Sequence, residues 1–254
     1  MNFSRLSPLA LTLGILSGFS LFAAEPFSDD QREAGIALAA ELRMMQPVET
    51  QVTGTLRIRS RRTHSSEEIP VMYQVVLGDR DWETVFETRG VDDHPAERLV
   101  VAHGTNQPNR YLYSRATNVS DKAPVPRPLE PEKLSTPFAG SDFAVSDLGL
   151  EFLHWPEQYR LKGEMRLSHP CYVLESRNSA SPGGISRVKT WIEKESGGIL
   201  IAEFYDAKNT LVKEFSLSGS SFKKINGKYQ LEKMEIRSPR AGSETVLKFN
   251  LPRD

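Results

Sequence analysis

The sequence predicts a mainly β protein of the α+β class, with a single antiparallel sheet, strongly curved or closed, and helices on one side of it. Three observations indicate this fold. A helical pattern comes first, a long series of short β-type runs separated by Gly, Pro, Asn and Asp follows, and a proline-rich stretch with a second helical pattern interrupts that series. The order of elements favours one sheet with helices packed on one face.

The composition is that of an ordinary globular protein. The chain has 254 residues, of which 39% are hydrophobic and 26% charged, and a chain of this length buries enough surface to fold without a metal or disulfide. The formal net charge of −1 argues against nucleic acid as a partner, because such proteins need a basic surface to displace counterions from phosphates. Cys171 is the single cysteine, so no intramolecular disulfide can form.

Residues 1–24 are predicted to be a cleaved signal peptide. Arg5 precedes a short apolar run, and small residues lead to Ala23 and Ala24, which is the pattern of a secretory signal. An uncleaved membrane anchor is the alternative, although the run is shorter than the ~20 apolar residues that a span prefers. No cysteine follows the run, so we expect no lipid anchor. Residues 25–254 are then expected to form one periplasmic domain.

A first helix is predicted from the capping-box pattern of Ser28 and Gln31 to about Met45, with Pro47 beyond its end. Its predicted apolar face consists of Ile36, Leu38, Ala40, Leu42, Met44 and Met45.

Thirteen strands are predicted after this helix. They are Gln51–Arg61, Ile69–Leu77, Trp82–Thr88, Glu97–His103, Arg110–Arg115, Glu164–Leu167, Cys171–Ser176, Ser186–Glu193, Ile199–Tyr205, Leu211–Leu217, Ser220–Ile225, Tyr229–Arg237 and Glu244–Leu251. Several of them are apolar on both faces, whereas a sheet with one wet face alternates cleanly. Helices, a partner or a bound apolar molecule must therefore cover the second face.

Between the two groups of strands lies a segment of different character. Lys122–Pro137 carries five prolines and is predicted to be an extended crossing without ladder donors. A second helix is predicted from about Val145 to His154, with Pro156 beyond its end.

Four blocks of the second half resemble the LolA-like outer-membrane lipoprotein-sorting proteins. Ala139–Leu148 is similar to a "GSDFxxxDL" block of that family, and Cys171–Glu175, Val188–Lys194 and Phe204–Lys208 resemble three of its strand blocks in the same order. The similarity extends from about residue 137 to 250. Asn209 stands where the family pattern has a turn glycine.

The resemblance implies a half-open β-barrel of about eleven strands, whose concave side is partly covered by helices and holds acyl chains. Such proteins are exported carriers of lipid or lipoprotein, or sensors built on the same fold, and fold alone does not decide between these functions. The alternative to a carrier is therefore a protein-interaction or sensor module of the cell envelope, with envelope membrane proteins as partners.

Five large apolar residues are the candidate ligand-binding residues, because they follow directly after the proline-rich crossing. They are Phe138, Phe143, Leu148, Phe152 and Trp155. An acyl chain exposed to water costs ~0.8 kcal/mol per CH₂, so a carrier needs an apolar cavity, and these residues are predicted to line its lid or mouth. The alternative is that they fill the core as a plug.

Arg57, Arg59 and Arg61 are the candidate contacts with a membrane surface. They alternate with Leu56 and Ile58 and therefore share one strand face. Contact with anionic headgroups is one interpretation, at ~1 kcal/mol per basic residue. A solvated outer face is the other, with arginine also protecting a strand edge.

The remaining motifs favour neither a metal, a cofactor nor catalysis. Asp92, Asp93 and His94 are adjacent and precede a proline, which is typical of a polar turn. His169 and Cys171 share a strand face, but nothing near them in the sequence would activate the thiol. The sequence contains no G-x-S-x-G, H-E-x-x-H or phosphate-binding glycine loop. We therefore expect a binding protein rather than an enzyme.

Overall fold

The computed structural model describes residues 27–79, 81–104, 107–180, 184–217, 221–225 and 228–251. The predicted signal peptide, residues 1–24, lies outside the described residues. Within these ranges no helix is both long and apolar enough to cross a membrane.

The described residues form fifteen strands. These are β1 (Thr50–Ser60), β2 (Ser65–Leu77), β3 (Asp81–Thr88), β4 (Glu97–Gly104), β5 (Arg110–Arg115), β6 (Arg127–Pro128), β7 (Glu157–Arg166), β8 (His169–Arg177), β9 (Ile185–Glu193), β10 (Ile199–Asp206), β11 (Leu211–Ser216), β12 (Phe222–Ile225), β13 (Lys228–Leu231), β14 (Lys233–Ser238) and β15 (Ser243–Phe249).

Thirteen of these strands form one curved antiparallel sheet in the order β6-β5-β4-β3-β2-β1-β15-β14-β11-β10-β9-β8-β7, and β12 and β13 form a separate hairpin. The sheet is not closed, because β6 and β7 are its two edges. The predicted fold class is confirmed. The first and last strands meet at the centre of the sheet, where Leu56 of β1 lies opposite Leu247 of β15, so the two halves of the chain share one sheet.

Helix α1 (Asp29–Met44) begins and ends close to its predicted bounds, and both hydrogen bonds of its capping box are present, at 2.9 and 3.2 Å. Its predicted apolar face is wrong in part. Gly35, Leu38 and Ala39 are the buried residues of the helix, while Ile36 and Met44 are exposed. The reason is that Gly35, which has no side chain, allows the helix to pack closely against β7 and so turns this face inward.

The second predicted helix is wrong in its length. The structure has a short helix α2 (Val145–Leu148) and a separate 3₁₀ turn (Glu151–His154). Leu150 lies between them with a φ of 51°, a left-handed conformation that no α-helix can include. The strand that follows, β7, begins at Glu157 and not at the predicted Glu164.

The prediction that the proline-rich crossing has no ladder donors is also wrong. Arg127 and Pro128 form the edge strand β6, opposite Tyr113 and Leu112 of β5. The backbone N–H of Leu129 donates to the carbonyl oxygen of Tyr111 at 2.9 Å. The prolines confine this strand to the edge of the sheet, since only its non-proline neighbours can donate.

The main hydrophobic core lies between the inner face of the sheet, α1 and the segment that follows the proline-rich crossing. A second, smaller cluster, called here the outer-face cluster, lies on the opposite face of β8–β10, where Val173, Trp191 and Ile201 pack together. Arg166 and Lys189 cover Trp191, with the cations 4.6 and 4.7 Å from its ring centre. The cover of Trp191 on the second face of these strands is therefore a pair of charged side chains from the sheet itself, and not the predicted helix, partner or apolar molecule.

Candidate functional site

Residues 138–155, called here the lid segment, lie across the inner face of the sheet. Three of its aromatic rings make edge-to-face contacts with rings on three different strands. Phe138 packs against Phe86, with ring centres 6.1 Å apart, and Phe152 packs against Phe204 at 5.7 Å. Phe143 contacts Phe215 at 6.4 Å. The lid segment thus fills the middle of the concave side.

The five candidate residues of the lid segment are brought together by the fold but differ in position. Phe138, Phe143 and Phe152 are fully buried in the main core, and Leu148 is almost so. Trp155 is half-buried against that core. Leu148, Phe152 and Trp155 also line cavities. Their part in ligand binding stays a prediction.

Asp142 anchors the lid segment to the last strand. Its backbone N–H donates to Oγ1 of Thr245 at 3.0 Å, and its carboxylate accepts from the hydroxyls of Thr245 at 2.8 Å and Ser243 at 2.5 Å. Ala139, with a φ of 51°, turns the backbone so that its N–H donates to Glu97 at 2.8 Å. The residues of the family-like block therefore hold the segment in place.

A buried ion pair joins the lid segment to the sheet. The carboxylate of Asp147 contacts the ammonium of Lys213 on β11, and both side chains are almost inaccessible to solvent. The same carboxylate accepts from the backbone N–H of Ala144 at 2.8 Å, and the Lys213 ammonium lies 4.8 Å from the ring centre of Phe204. Each charge thus has a partner, which a buried charge requires.

The lid segment leaves space on both of its sides. A cavity of about 230 Å³, called here the inner cavity, lies between the lid segment, the C-terminal end of α1 and the inner face of the sheet. Its apolar lining includes Tyr73, Trp82, Phe86, Leu148, Leu153, Phe215, Leu231 and Met234.

Two further spaces adjoin this region. A cavity of about 310 Å³ shares Met45, Pro47, Tyr73 and Leu231 with the inner cavity. On the other side of the lid segment, a cleft of about 530 Å³ reaches Phe152, Trp155 and the Asp147–Lys213 pair. The inner and adjoining cavities together fall in the range of ~300–1,000 Å³ that small-molecule sites occupy.

Six polar side chains also line the inner cavity: Arg43, Thr84, His103, Asn109, Asp147 and His154. Arg43 donates to the carbonyl oxygen of Leu153 at 2.5 Å, and Asn109 donates to that of Gly149 at 2.7 Å. His103 stacks on Trp82, with ring centres 4.9 Å apart, and its Nε2 is 2.6 Å from Oγ1 of Thr84. These contacts hold polar groups in the wall of a mostly apolar cavity.

Both imidazoles are held in the neutral form. Burial, and then the neighbouring His154, lower the pKa of His103 to about 4. Burial, and then the positive charge of Arg43, lower the pKa of His154 to about 4. At neutral pH Arg43 therefore carries the positive charge of this group.

Sequence reasoning did not identify this polar group. Arg43 was part of a helix pattern, and His103 and His154 were isolated in sequence. They meet only because α1, β4 and the 3₁₀ turn after α2 converge on the cavity. No spacing rule connects residues 43, 103, 109 and 154.

Arg57, Arg59 and Arg61 lie on the outer side of the molecule and are exposed, whereas Leu56 is buried. Arg57 forms an ion pair with Glu68 at 2.6 Å. Glu244 lies opposite Arg59 in the sheet, and such pairing weakens the positive potential of this face. Their contact with a membrane stays a prediction.

The rejected chemical motifs have structural roles. His94 Nε2 contacts Glu67 at 2.7 Å. His169 contacts Glu193, while the Cys171 thiol lies in the outer-face cluster, where burial raises its pKa. Among the described residues no group of three or more His, Cys, Asp and Glu side chains could hold a metal ion.

Solved structures with a similar fold include proteins from the following three bacteria. A DUF1329 family protein from Desulfovibrio piger is 20% identical, with a TM-score of 0.64 and coverage of 87% of this chain and 91% of that one. A domain named for outer membrane lipoprotein sorting, from Vibrio parahaemolyticus, is 18% identical, with a TM-score of 0.67 and coverage of 87% and 92%. A LolA superfamily protein from Nitrosomonas europaea is 18% identical, with a TM-score of 0.58 and coverage of 88% and 94%.

At these identities the similarity establishes the fold, and the predicted LolA-like resemblance is confirmed at that level. No curated protein matches the sequence. A family model described as "Uncharacterized protein" matches residues 85–252, which is more than half of the chain and includes the lid segment. The chain therefore belongs to that family and has the LolA-like fold.

Proposed function

We propose that this protein is an exported, periplasmic carrier that binds the acyl chain of a lipid or lipoprotein non-covalently in the inner cavity. The observation that carries the proposal is the cavity itself, which is lined mainly by aliphatic and aromatic side chains between α1, the lid segment and the sheet. Transfer of each CH₂ from water into such surroundings contributes about 0.8 kcal/mol. Entry of an acyl chain into the cavity is therefore favourable.

The surroundings of the cavities support entry of an apolar ligand. The exposed apolar residues of the chain include Met44, Met45 and Val48 on and after α1, and Val76 and Leu77 at the end of β2. Met45 and Val48 also line the adjoining cavity. Thr50 pairs with Val75, which brings the end of β2 next to the segment that connects α1 to β1. Exposed apolar residues grouped in this way are typical of a binding surface.

The three tryptophans of the chain allow a direct test, because each lies in a different place. Trp82 lines the inner cavity, Trp155 lines the cleft on the other side of the lid segment, and Trp191 lies in the outer-face cluster. We expect a brominated fatty acid to quench Trp82 in a variant that keeps only this tryptophan. The variant that keeps only Trp191 is the matched control and should not be quenched.

Two outcomes would contradict the proposal. Equal quenching of Trp82 and Trp191 would indicate non-specific adsorption. Absence of quenching, together with absence of lipid from organic extracts of protein purified from an exporting host and analysed by mass spectrometry, would leave an interaction or sensor module on the same fold. Quenching of Trp155 alone would move the ligand to the cleft.

The export part of the proposal has its own measurement. The mature protein should begin after Ala23 or Ala24, as determined by intact mass after expression in an exporting host. A full-length mass in the membrane fraction would indicate the uncleaved anchor instead.

A further inference from the structure

Four of the polar residues that line the inner cavity lie close together and carry one unneutralised charge. Arg43 comes from α1, His154 from the 3₁₀ turn, His103 from β4, and Asn109 from the residue before β5. All other chemistry of the cavity wall is apolar, apart from a few backbone and hydroxyl groups and the Asp147 carboxylate. The cavity wall therefore combines one polar cluster with a mainly apolar surface, as an amphiphile combines a headgroup with an alkyl chain.

Arg43 is the group that defines the sign of this cluster. Its guanidinium makes one hydrogen bond, to the carbonyl oxygen of Leu153, and no carboxylate of the described residues lies within 4.0 Å of it. Asp147, which also reaches the cavity, is already paired with Lys213. Glu151, the nearby acid on the 3₁₀ turn, accepts from the Tyr111 hydroxyl at 2.8 Å. A guanidinium has five N–H donors, so Arg43 keeps donors for a ligand.

The neighbours of Arg43 in this cluster are polar but add no opposite charge. The neutral imidazole of His154 has one N–H, whereas the amide nitrogen of Asn109 already donates to the Gly149 carbonyl oxygen at 2.7 Å and to the Tyr111 hydroxyl at 3.4 Å, so Asn109 can offer a ligand only a polar surface. Burying an anion in apolar surroundings is unfavourable unless it is paired and hydrogen-bonded, and a guanidinium offers carboxylate or phosphate two parallel hydrogen bonds. The partly buried cation in turn lacks an acidic partner within the described residues.

We propose, building on the proposed carrier function, that Arg43, His103, Asn109 and His154 form a headgroup site, and that the ligand is an amphiphile with an anionic headgroup, carboxylate or phosphate, on an alkyl chain. The alkyl chain lies along Trp82, Phe86 and Phe215, and the headgroup contacts the guanidinium of Arg43. This assigns the ligand to the anionic lipids and separates it from acyl chains attached to an uncharged anchor.

The test compares ligands that differ only in the headgroup. Dodecyl phosphate, dodecanoate, dodecyl maltoside and dodecyltrimethylammonium are titrated below their micellar concentrations into the full mature protein by calorimetry. We expect the two anionic ligands to bind about tenfold or more tightly than the neutral one, since hydrogen bonds between charged groups are stronger than those between neutral groups. The cationic ligand should bind most weakly.

Variants of Arg43 assign the preference to this residue. Arg43→Gln should reduce the affinity for the two anionic ligands about tenfold or more relative to the affinity for dodecyl maltoside, and Arg43→Lys should keep part of the preference. Arg32→Gln is the matched control, because Arg32 is an exposed arginine of the same helix, and it should keep the full preference. Thermal unfolding of each variant shows whether it folds.

Equal affinity for anionic and neutral ligands would overturn the inference and leave the carrier function standing. An equal loss in Arg43→Gln and Arg32→Gln would overturn it too, because it would indicate long-range attraction only. Inorganic phosphate that competes as well as dodecyl phosphate would show a site for a free anion instead of an amphiphile. If none of the four amphiphiles binds, the proposed function and the inference both fail.

Discussion

At the scale of single residues, the lid segment depends on a small number of polar contacts made by side chains of the family-like block. Asp142 contacts two hydroxyls of β15, one of which, on Thr245, is completely buried. A buried hydroxyl without its partner costs about 1–3 kcal/mol, whereas loss of both partners is nearly neutral. The contacts of Asp142 therefore matter mainly because Thr245 cannot reach water.

This gives a prediction for Asp142→Ala. The free energy of unfolding should fall by about 1–3 kcal/mol, measured as the midpoint shift in urea, because Thr245 is left without its carboxylate partner. The double variant Asp142→Ala, Thr245→Val should recover only part of the loss, because it also removes the hydroxyl that accepts from the backbone N–H of residue 142. Asp93→Ala, which removes an exposed acid in a turn, is the control and should have little effect. A double variant no more stable than the single one would contradict this account.

At the scale of elements, the position of α1 is decided by one glycine. A Cβ placed on Gly35 would lie 2.5 Å from the carbonyl oxygen of Gln158 and from the backbone nitrogen of Tyr159 in β7. Real Cβ atoms do not approach backbone so closely, so a larger residue here would force the helix away from the strand. The inward face of α1 is therefore Gly35, Leu38, Ala39 and Leu42.

Gly35→Ala is the corresponding prediction. By helix propensity alone alanine would stabilise α1 by about 1 kcal/mol, but the contact with β7 should reverse the sign and lower the melting temperature. Ala37→Gly, at an exposed position of the same helix, measures the propensity effect by itself and should destabilise by about that amount. A higher melting temperature for Gly35→Ala would show that the helix does not pack this closely.

The lid elements show the limit of local patterns. Val145–His154 has enough apolar and helix-forming residues for one helix, yet Leu150 is left-handed and divides it into two short elements. The division lets Leu148 face the inner cavity while Phe152 contacts Phe204 on β10. Packing on the curved sheet, which is not visible in a ten-residue window, outweighs the preference for a continuous helix.

At the scale of the whole molecule, the stability of the fold depends on two partly buried histidines that lie where α1, the sheet and the lid segment meet. His103 and His154 are partly buried between α1, β4 and the 3₁₀ turn, next to Arg43 and Asn109, with Glu151 on the same turn. Because both pKa values are lowered from 6.5 to about 4, the unfolded chain binds these two protons at a higher pH than the native protein does. Acid must therefore favour unfolding.

We predict that the free energy of unfolding falls as the pH falls from about 6.5 to about 4, by at most ~1.4 kcal/mol per pH unit for each histidine. Above pH 7 this contribution is constant, because both groups are then neutral in the native and unfolded states. Urea unfolding of the wild type and of the double variant His103→Asn, His154→Asn across this pH range isolates the contribution of the two histidines. His64→Asn, at an exposed turn, is the control and should follow the wild type. If the free energy of unfolding of the double variant depends on pH as that of the wild type does, the prediction is contradicted.

The sequence by itself determined the class of this fold and most of its elements. The capping box of α1, the β-type runs and the ordered blocks of the second half are local signals, because hydrogen bonding and side-chain alternation act over a few residues. They predicted the curved antiparallel sheet and its LolA-like resemblance, both of which the structure and its relatives confirm.

Only the tertiary structure decided where that sheet encloses space and which groups face it. The inner cavity exists because Phe138, Phe143 and Phe152 fill the middle of the concave side and leave its end next to α1 open. Arg43, His103 and His154 meet there from three distant parts of the chain. Contacts of this kind depend on how elements pack in three dimensions, and packing between distant segments leaves no periodic trace in the amino-acid sequence.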